Sequence, residues 1–387
     1  MLIHQDIWVR YTNIIKMEKE FMKCSKYLEP GRYNCIFSSS SLAVFHHRDV
    51  KSLPSALEET LNNFWNKHNL RHDSLYKCFI ELIWEVLNFI RYKFFKGLTI
   101  QKIIPSKNYG IKPFKSQIIT VRPNGKILLF DIRKNLVYTK YIKASEKKGM
   151  KYFNTAEIKS FQKHRSQIGK NFTIPADYDF FDKFHCQQLI NSDKGFRQCN
   201  EEERLSITRS IFQSCIQSSK ENSSSKIKSK ELLIRGFSII ENSDSNSLFT
   251  KYANSRQKML LDSSKNWKII SGHYDLTAHN LTVLNKAPVL LDLAPHKLGL
   301  LPSFLMPICL IHSELKEYDR SDLAMAFWEG QFDNELKELY SNTTFNKELR
   351  NDIFLAESIT LLSLGSKINH NSIESWFRPI LEEFSLT

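Results

Sequence analysis

The chain has 387 residues, 42% of them hydrophobic and 12% aromatic, with only 12 Gly and 11 Pro, a composition that can fill a sizeable core and excludes a fibrous or mostly disordered polypeptide. A net charge of +14 favours an anionic partner such as a nucleotide, a phosphorylated glycan or an acidic lipid, and equally suits a solvated basic surface. No single Lys/Arg block dominates and no zinc-finger spacing or RNA-binding signature occurs, so nucleic acid is not an expected partner. The cysteine count of seven is odd and none falls in C-x-x-C spacing, which reads as reduced, mostly buried thiols rather than a metal site. Met1 to Lys16 lacks an apolar signal-peptide core, and no run of eighteen apolar residues occurs, so the expected location is the cytoplasm.

Residues 1–112 are read as a mostly helical region of unassigned role. Within it, Phe79, Ile80, Ile83, Val86, Leu87 and Ile90 recur at helical spacing between Ser74 and Lys96. That stretch ends in the basic-aromatic run Arg91 to Lys96, a candidate contact for the inner face of an anionic membrane, although stripes of this kind more often belong to a helix packed on the core. From Lys115 the pattern turns to strands. Gln117 to Arg122 and Ile127 to Ile132 flank an Asn124-Gly125 turn, a strong hairpin signal. Arg133-Lys134-Asn135 turns again into a third strand, Leu136 to Lys143. A helix follows from the candidate cap Asn154 through Lys163, and Tyr178 to Phe184 returns to strand character. Glu201 to Ser218 reads as a helix. Ser218 to Lys226 is Ser/Lys-rich and too poor in apolar residues to pack, which predicts a loop. The chain is strand-rich again after Trp267 and helical from about Ser321 onward.

The segment with chemistry in it is His273-Tyr274-Asp275, then Asn280 five residues after the aspartate, an apolar strand Leu281 to Val283, a turn at Asn285-Lys286, a second apolar strand Val289 to Leu291, and Asp292. Phosphoryl transfer needs a carboxylate to orient a hydroxyl and take its proton, oxygen ligands for magnesium, and a cation against the phosphates. Two short strands in a hairpin would set Asn280 and Asp292 side by side, open to one metal.

His273-x-Asp275-x-x-x-x-Asn280 followed by Asp292-Leu293-Ala294 resembles the catalytic and metal-binding loops of the protein-kinase-like superfamily. It is most similar to the small-molecule branch, the aminoglycoside phosphotransferases, choline kinases and bacterial lipopolysaccharide kinases. The resemblance implies an α+β, bilobal protein-kinase-like fold with a mostly helical N-terminal extension. In it residues 113–195 form the N-lobe and residues 196–387 the C-lobe, with a catalytic loop at 273–280 and a metal loop at 292–294. It implies Asp275 as catalytic base, His273 as support for its loop, Asn280 and Asp292 as magnesium ligands, and ATP and Mg as cofactors. The lysine that holds the phosphates is Lys140, in Val137-Tyr138-Thr139-Lys140, or Lys143; strand alternation puts them on opposite faces. Glu157 on the next helix is the candidate partner for that lysine. The implied activity is phosphorylation of a hydroxyl on a small-molecule or glycan acceptor, including a sugar or lipopolysaccharide-type acceptor. Tyr274, where this branch usually has Gly, and the weak glycine loop motivate a rival reading as a pseudokinase-like binding or scaffold module. His279 and His296 flank the motif and are assigned no catalytic role.

Overall fold

A computed structural model describes residues 116–122, 127–140, 155–181, 184–222, 229–243, 247–263, 268–273, 275–293, 298–302, 305–318, 322–340 and 345–364, together with shorter stretches between residues 12 and 57 and residues 377 and 380–382. The fold is α+β. The chain divides into two compact units, residues 1–154 with 175–192, and residues 155–174 with 193–387. The Ser74–Lys96 helix expected from periodicity, the Asn124-Gly125 turn itself, Lys143, Tyr274, Ala294 and His296 lie outside the described residues.

The first unit is organised by one seven-stranded sheet. Its strands are β1 (Tyr33–Ser38), β2 (Leu42–His47), β3 (Ile118–Val121), β4 (Ile127–Asp131), β5 (Leu136–Lys140), β6 (Asp177–Phe181) and β7 (Phe184–Gln188), in the order β1-β2-β3-β4-β5-β7-β6. Every neighbouring pair is antiparallel. The order expected from the sequence, three meandering strands, a helix and more strand, is present, with the last strand region split in two. The N-terminal region also supplies β1 and β2, which pair onto β3 and extend the sheet. Val44 is β-branched and Phe45 aromatic, and they face opposite sides of the pleat, which favours a strand over a helix there.

Period-two alternation gives the sheet two apolar faces. Ile119, Val121, Ile127, Leu129, Tyr138 and Cys186 face one way and pack against Met17, Phe21 and Cys24 of an N-terminal helical segment within residues 12–23. Ile118, Phe130 and Val137 face the other way, with Val44 and Leu57. The β4–β5 connection is a short 3-10 turn over Ile132–Lys134 that ends on Asn135 at φ 54°. Asparagine tolerates this left-handed position better than most residues.

The second unit begins with α1 (Thr155–Ile168). After the return excursion through β6 and β7 it continues with β8 (Lys194–Gly195), α2 (Glu201–Glu221), α3 (Ser229–Ser243), α4 (Leu248–Ser263), β9 (Ile269–His273), β10 (Leu281–Leu284), β11 (Ala287–Leu290), β12 (Leu298–Pro302), α5 (Leu305–Tyr318), α6 (Asp322–Trp328), α7 (Asp333–Tyr340) and α8 (Lys347–Ser363). Asn200 starts α2: its side chain accepts from Glu203 N and the Glu203 carboxylate accepts from Asn200 N, both at 2.9 Å. The helix runs to Glu221, into the stretch expected to be a loop; Ser218 and Ser219 are buried there, so packing outweighs local polarity.

The centre of this unit is α8, buried continuously from Arg350 to Ser363. Arg350 clamps Asp333 with two bonds of 2.7 and 2.6 Å and donates to the Trp328 carbonyl at 2.7 Å. Arg256 grips Asp352 with a similar fork, 2.8 and 2.6 Å. Bidentate pairs of this kind fix helix orientation as well as adding charge-assisted bonds. Helices α3 and α8 approach so closely that a Cβ on Gly236 would collide with the carbonyl and side chain of Ile359.

Deeper in α8, Glu357 is fully buried, and neither of its carboxylate oxygens has a hydrogen-bond partner among the described residues. Burial pushes its pKa well above the ordinary glutamate value, and burial likewise pushes up the thiols of Cys215 on α2 and Cys309 on α5. His312, also on α5, is held well below the usual histidine range by burial.

Two outcomes follow from this packing. Gly236→Ala is expected to destabilise the protein by about 2–3 kcal/mol in chemical denaturation, because the added methyl meets backbone that cannot step aside. The second concerns pH. Above the ordinary glutamate range the unfolded chain releases the Glu357 proton while the native state keeps it, so stability falls as pH rises, by up to about 1.4 kcal/mol per unit. Glu357→Gln removes that dependence. Its gain in Tm is expected to be larger at pH 8 than at pH 5, which paired melting curves would show.

Candidate active site

Strand β9 carries the chain into the motif. All of its residues are buried, and it pairs antiparallel with β12, Ile270 opposite Leu301 and His273 opposite Leu298. Ser271 reaches Gln167 on α1, 3.2 Å between the side-chain oxygens. Gly272 sits in tight packing: a Cβ there would lie 2.9 Å from the Met306 sulfur, which would have to shift. His273 ends the strand at 1% exposure, and its Nε2 lies 3.2 Å from the Asp292 carbonyl oxygen. A carbonyl only accepts, so Nε2 is the protonated nitrogen of that ring.

Asp275 follows in a turn, half-buried. Leu276 and Ala278 are buried beneath it. Ser313 on α5 accepts from the Ala278 N–H at 3.0 Å, so α5 forms the floor of the loop. A short 3-10 turn over Ala278–Asn280 closes it, with Asn280 N donating to Thr277 O at 2.9 Å. The Asn280 amide nitrogen donates to the Asp275 carbonyl at 3.0 Å. That bond commits the donor end of the amide to the loop, and the other end is an oxygen of the kind that ligates hard cations.

The hairpin expected beyond Asn280 is present. Strands β10 and β11 pair with Leu281 opposite Leu290. Asn285 and Lys286 at its tip both have positive φ, 52° and 63°, as a two-residue turn matched to strand twist requires. Its register brings Leu291 N to 2.7 Å from Asn280 O, which sets Asp292 next to Asn280. On its outer side Leu290 N donates to Thr173 O at 3.0 Å, and Asn285 N donates to Asp193 at 2.7 Å. Asp292 itself has φ 52°. A non-glycine residue in this region carries local strain of order 1 kcal/mol, tolerable for aspartate, and such strain gathers at functional sites.

Three backbone-directed bonds therefore tie the motif together: His273 to Asp292, Asn280 to Asp275, and Leu291 to Asn280. His273, Asp275, Asn280 and Asp292 are brought into one connected loop pair. Asn280 and Asp292 offer only oxygen donors, which fits magnesium bound by one or two protein oxygens and completed by phosphate and water. Among the described residues no cluster of three or more His, Cys, Asp or Glu could hold a metal alone. His279 is exposed beside them.

Two further candidates are carried by other elements. Lys140 is the last residue of β5, on the same face as Tyr138. It meets Glu20 of the N-terminal helical segment, Nζ to Oε2 3.9 Å. Glu157 lies in α1, half-buried, and belongs to the second unit. Sequence reasoning missed Glu20, Ser313 and Thr173. Ser313 and Thr173 carry no local signal, since each acts on the loops from a distant part of the chain. Glu20 could have been noticed only as an acidic residue one position before a buried aromatic.

No family model matches the sequence, and no curated protein matches it. Among solved structures the chain is similar to several small-molecule kinases. Choline kinase LicA from Streptococcus pneumoniae is 14% identical, with 67% of this chain and 89% of that chain covered and a TM-score of 0.40. The amicoumacin kinase hAmiN, in complex with AMP-PNP, Ca2+ and Ami, is 11% identical over 67% and 85%, with a TM-score of 0.39. An aminoglycoside-3'-phosphotransferase of type VIII is 10% identical over 67% and 92%, with a TM-score of 0.35.

The tie between the two loops is testable. Replacing His273 by Phe keeps an aromatic ring but removes the donor to Asp292 O, leaving that carbonyl without this bond. The variant is expected to lose about 1–3 kcal/mol in denaturant titrations.

Proposed function

We propose that this chain is an ATP- and magnesium-dependent phosphotransferase that acts on a hydroxyl group of a small molecule or glycan. The observation that carries the reading is the hydrogen-bonded register that sets Asp292 beside Asn280 and joins both to the loop of Asp275. In the reaction, Asp275 orients the acceptor hydroxyl and takes its proton. The hydroxyl oxygen forms a bond to the γ-phosphorus, the bond from that phosphorus to the bridging oxygen breaks, and ADP leaves with the electron pair. Asn280 and Asp292 would hold magnesium, which when bound would supply charge neutralisation on the phosphates. His273 keeps the metal loop at its strained backbone angle. Lys140 or Lys143 supplies the cation on the phosphates. The net charge of +14 supports an acceptor of anionic character, a sugar or lipopolysaccharide-type molecule at a membrane surface.

The test is a thermal shift with nucleotide followed by product analysis. ATP with magnesium at roughly a hundredfold excess over Kd is expected to raise Tm by about 5 °C. Asp292→Ala should abolish that rise. Asp275→Asn should keep it while lowering ADP release with an acceptor by ~10³-fold. No shift in a folded wild type at saturating nucleotide would overturn the reading. A shift with no ADP release across a panel of hydroxyl acceptors would instead mark a binding module, the outcome that Tyr274 favours.

A further inference from the structure

Two side chains of α5 reach the loop that carries Asp275. Ser313 accepts from the Ala278 N–H at 3.0 Å, and the Leu276 N–H donates to the sulfur of Cys309. Both side chains are buried, at 6% exposure each. We infer that Cys309 and Ser313 are positioning residues for the base: standing one turn apart on α5, they hold the two N–H groups on either side of Thr277 and so fix the direction in which the Asp275 carboxylate leaves the loop. The inference rests on the phosphotransferase reading, in which Asp275 is that base.

The spacing lets one helix serve both amides. Thr277 is extended, with φ −119° and ψ 162°, so the N–H groups of Leu276 and Ala278 leave the same edge of the backbone. Two extended residues advance about 6.6 Å and four helical residues about 6 Å, so Cys309 and Ser313 meet alternate amides without distorting either element. Burial along the loop alternates to match: Leu276 and Ala278 are buried, whereas Asp275 and Thr277 are half-buried. The peptide unit that follows Asp275 is held at both ends. Its carbonyl accepts from the Asn280 amide at 3.0 Å, and its N–H goes to Cys309. Because that unit is planar, holding it fixes the rotation next to the Asp275 Cα, from which the carboxylate projects. The two acceptors are themselves oriented. The Ser313 hydroxyl donates to the Leu310 carbonyl at 3.0 Å, which leaves its lone pairs for Ala278. Burial keeps the Cys309 thiol protonated, so it accepts the Leu276 N–H without setting a second negative charge beside Asp275.

The experiment pairs residue-resolved amide hydrogen exchange with steady-state ADP release on C309A, C309S, S313A and S358A. The last removes the 3.1 Å contact between His312 of α5 and Ser358 of α8, and so controls for general loosening of α5. In the wild type the Leu276 and Ala278 amides are expected to be protected; C309A frees the first and S313A the second. Each of these variants is expected to lower kcat about tenfold while KM for ATP stays within about twofold. C309S keeps an acceptor and is expected to hold kcat within about threefold of the wild type. S358A is expected to lower Tm and leave kcat within about twofold. In a D275N background S313A is expected to add less than about twofold, because its effect passes through the carboxylate. Should S313A not fold, S313C keeps a weak acceptor in place and is expected to lower kcat about threefold. Unprotected amides in the wild type would overturn the inference and leave the phosphotransferase reading standing. So would an S358A loss equal to those of C309A and S313A, or an S313A loss of the same size with and without Asp275. If the wild type releases no ADP that Asp275→Asn lowers, the reading fails and the inference with it, however well the two amides are protected.

Discussion

The register of the β10–β11 hairpin is the constraint on which the candidate site depends. Leu281 opposite Leu290 fixes Leu291 N on Asn280 O, and that single bond decides that Asp292, and not a neighbour, stands next to Asn280. A slip of one residue would turn each side chain to the other face of the ribbon. The register is pinned at both ends. The Asn285-Lys286 tip accepts positive φ at both positions, and at the open end the chain is held by His273 through the carbonyl of Asp292. Because His273 grips a carbonyl of a residue already in the left-handed region, support and strain meet at one position. A carboxylate presented in this way loses little freedom when it takes a ligand, which lowers the entropy cost of binding.

The floor beneath these loops is helical and unusually polar for a core. Ser313 caps the Ala278 N–H, Cys309 lies close enough to feel the charge of Asp275, and Glu357 is buried on the neighbouring helix. Burial drives Glu357 and His312 in opposite directions, towards a neutral acid and a neutral imidazole. Both shifts come from the same desolvation, which disfavours whichever form is charged. Ionic contacts in this unit run through arginine pairs instead, Arg256 with Asp352 and Arg350 with Asp333.

In the first unit the same physics produces a different result. The sheet is apolar on both faces, so it must be covered on both, and the N-terminal helical segment does this on the Tyr138 face. Covering the sheet carries a charged residue, Glu20, onto the end of β5 where Lys140 lies. Together they are held by a helix whose aromatic and sulfur side chains anchor it on either side of the carboxylate.

The sequence alone determined the features that depend on near neighbours. Apolar, β-branched runs and the turns between them marked β3, β4 and β5, the Asn285-Lys286 dipeptide marked a hairpin tip, and the spacing from His273 to Asp292 placed the four motif residues in two adjacent loops. Each of these is a period or a turn preference readable within a few residues. The tertiary structure decided what distant segments do to one another. Ser218 and Ser219 look like loop residues until a helix packs over them. The left-handed angle of Asp292 is invisible in its residue type and follows from the bonds at its two flanks. Glu20 reads as one acid in a charged run, Lys16 to Glu20, until the burial of Phe21 fixes which way it points. No local rule links it to a lysine at the end of a strand so far along the chain. Local propensity sets which elements form, and the burial of apolar faces sets which charges then meet.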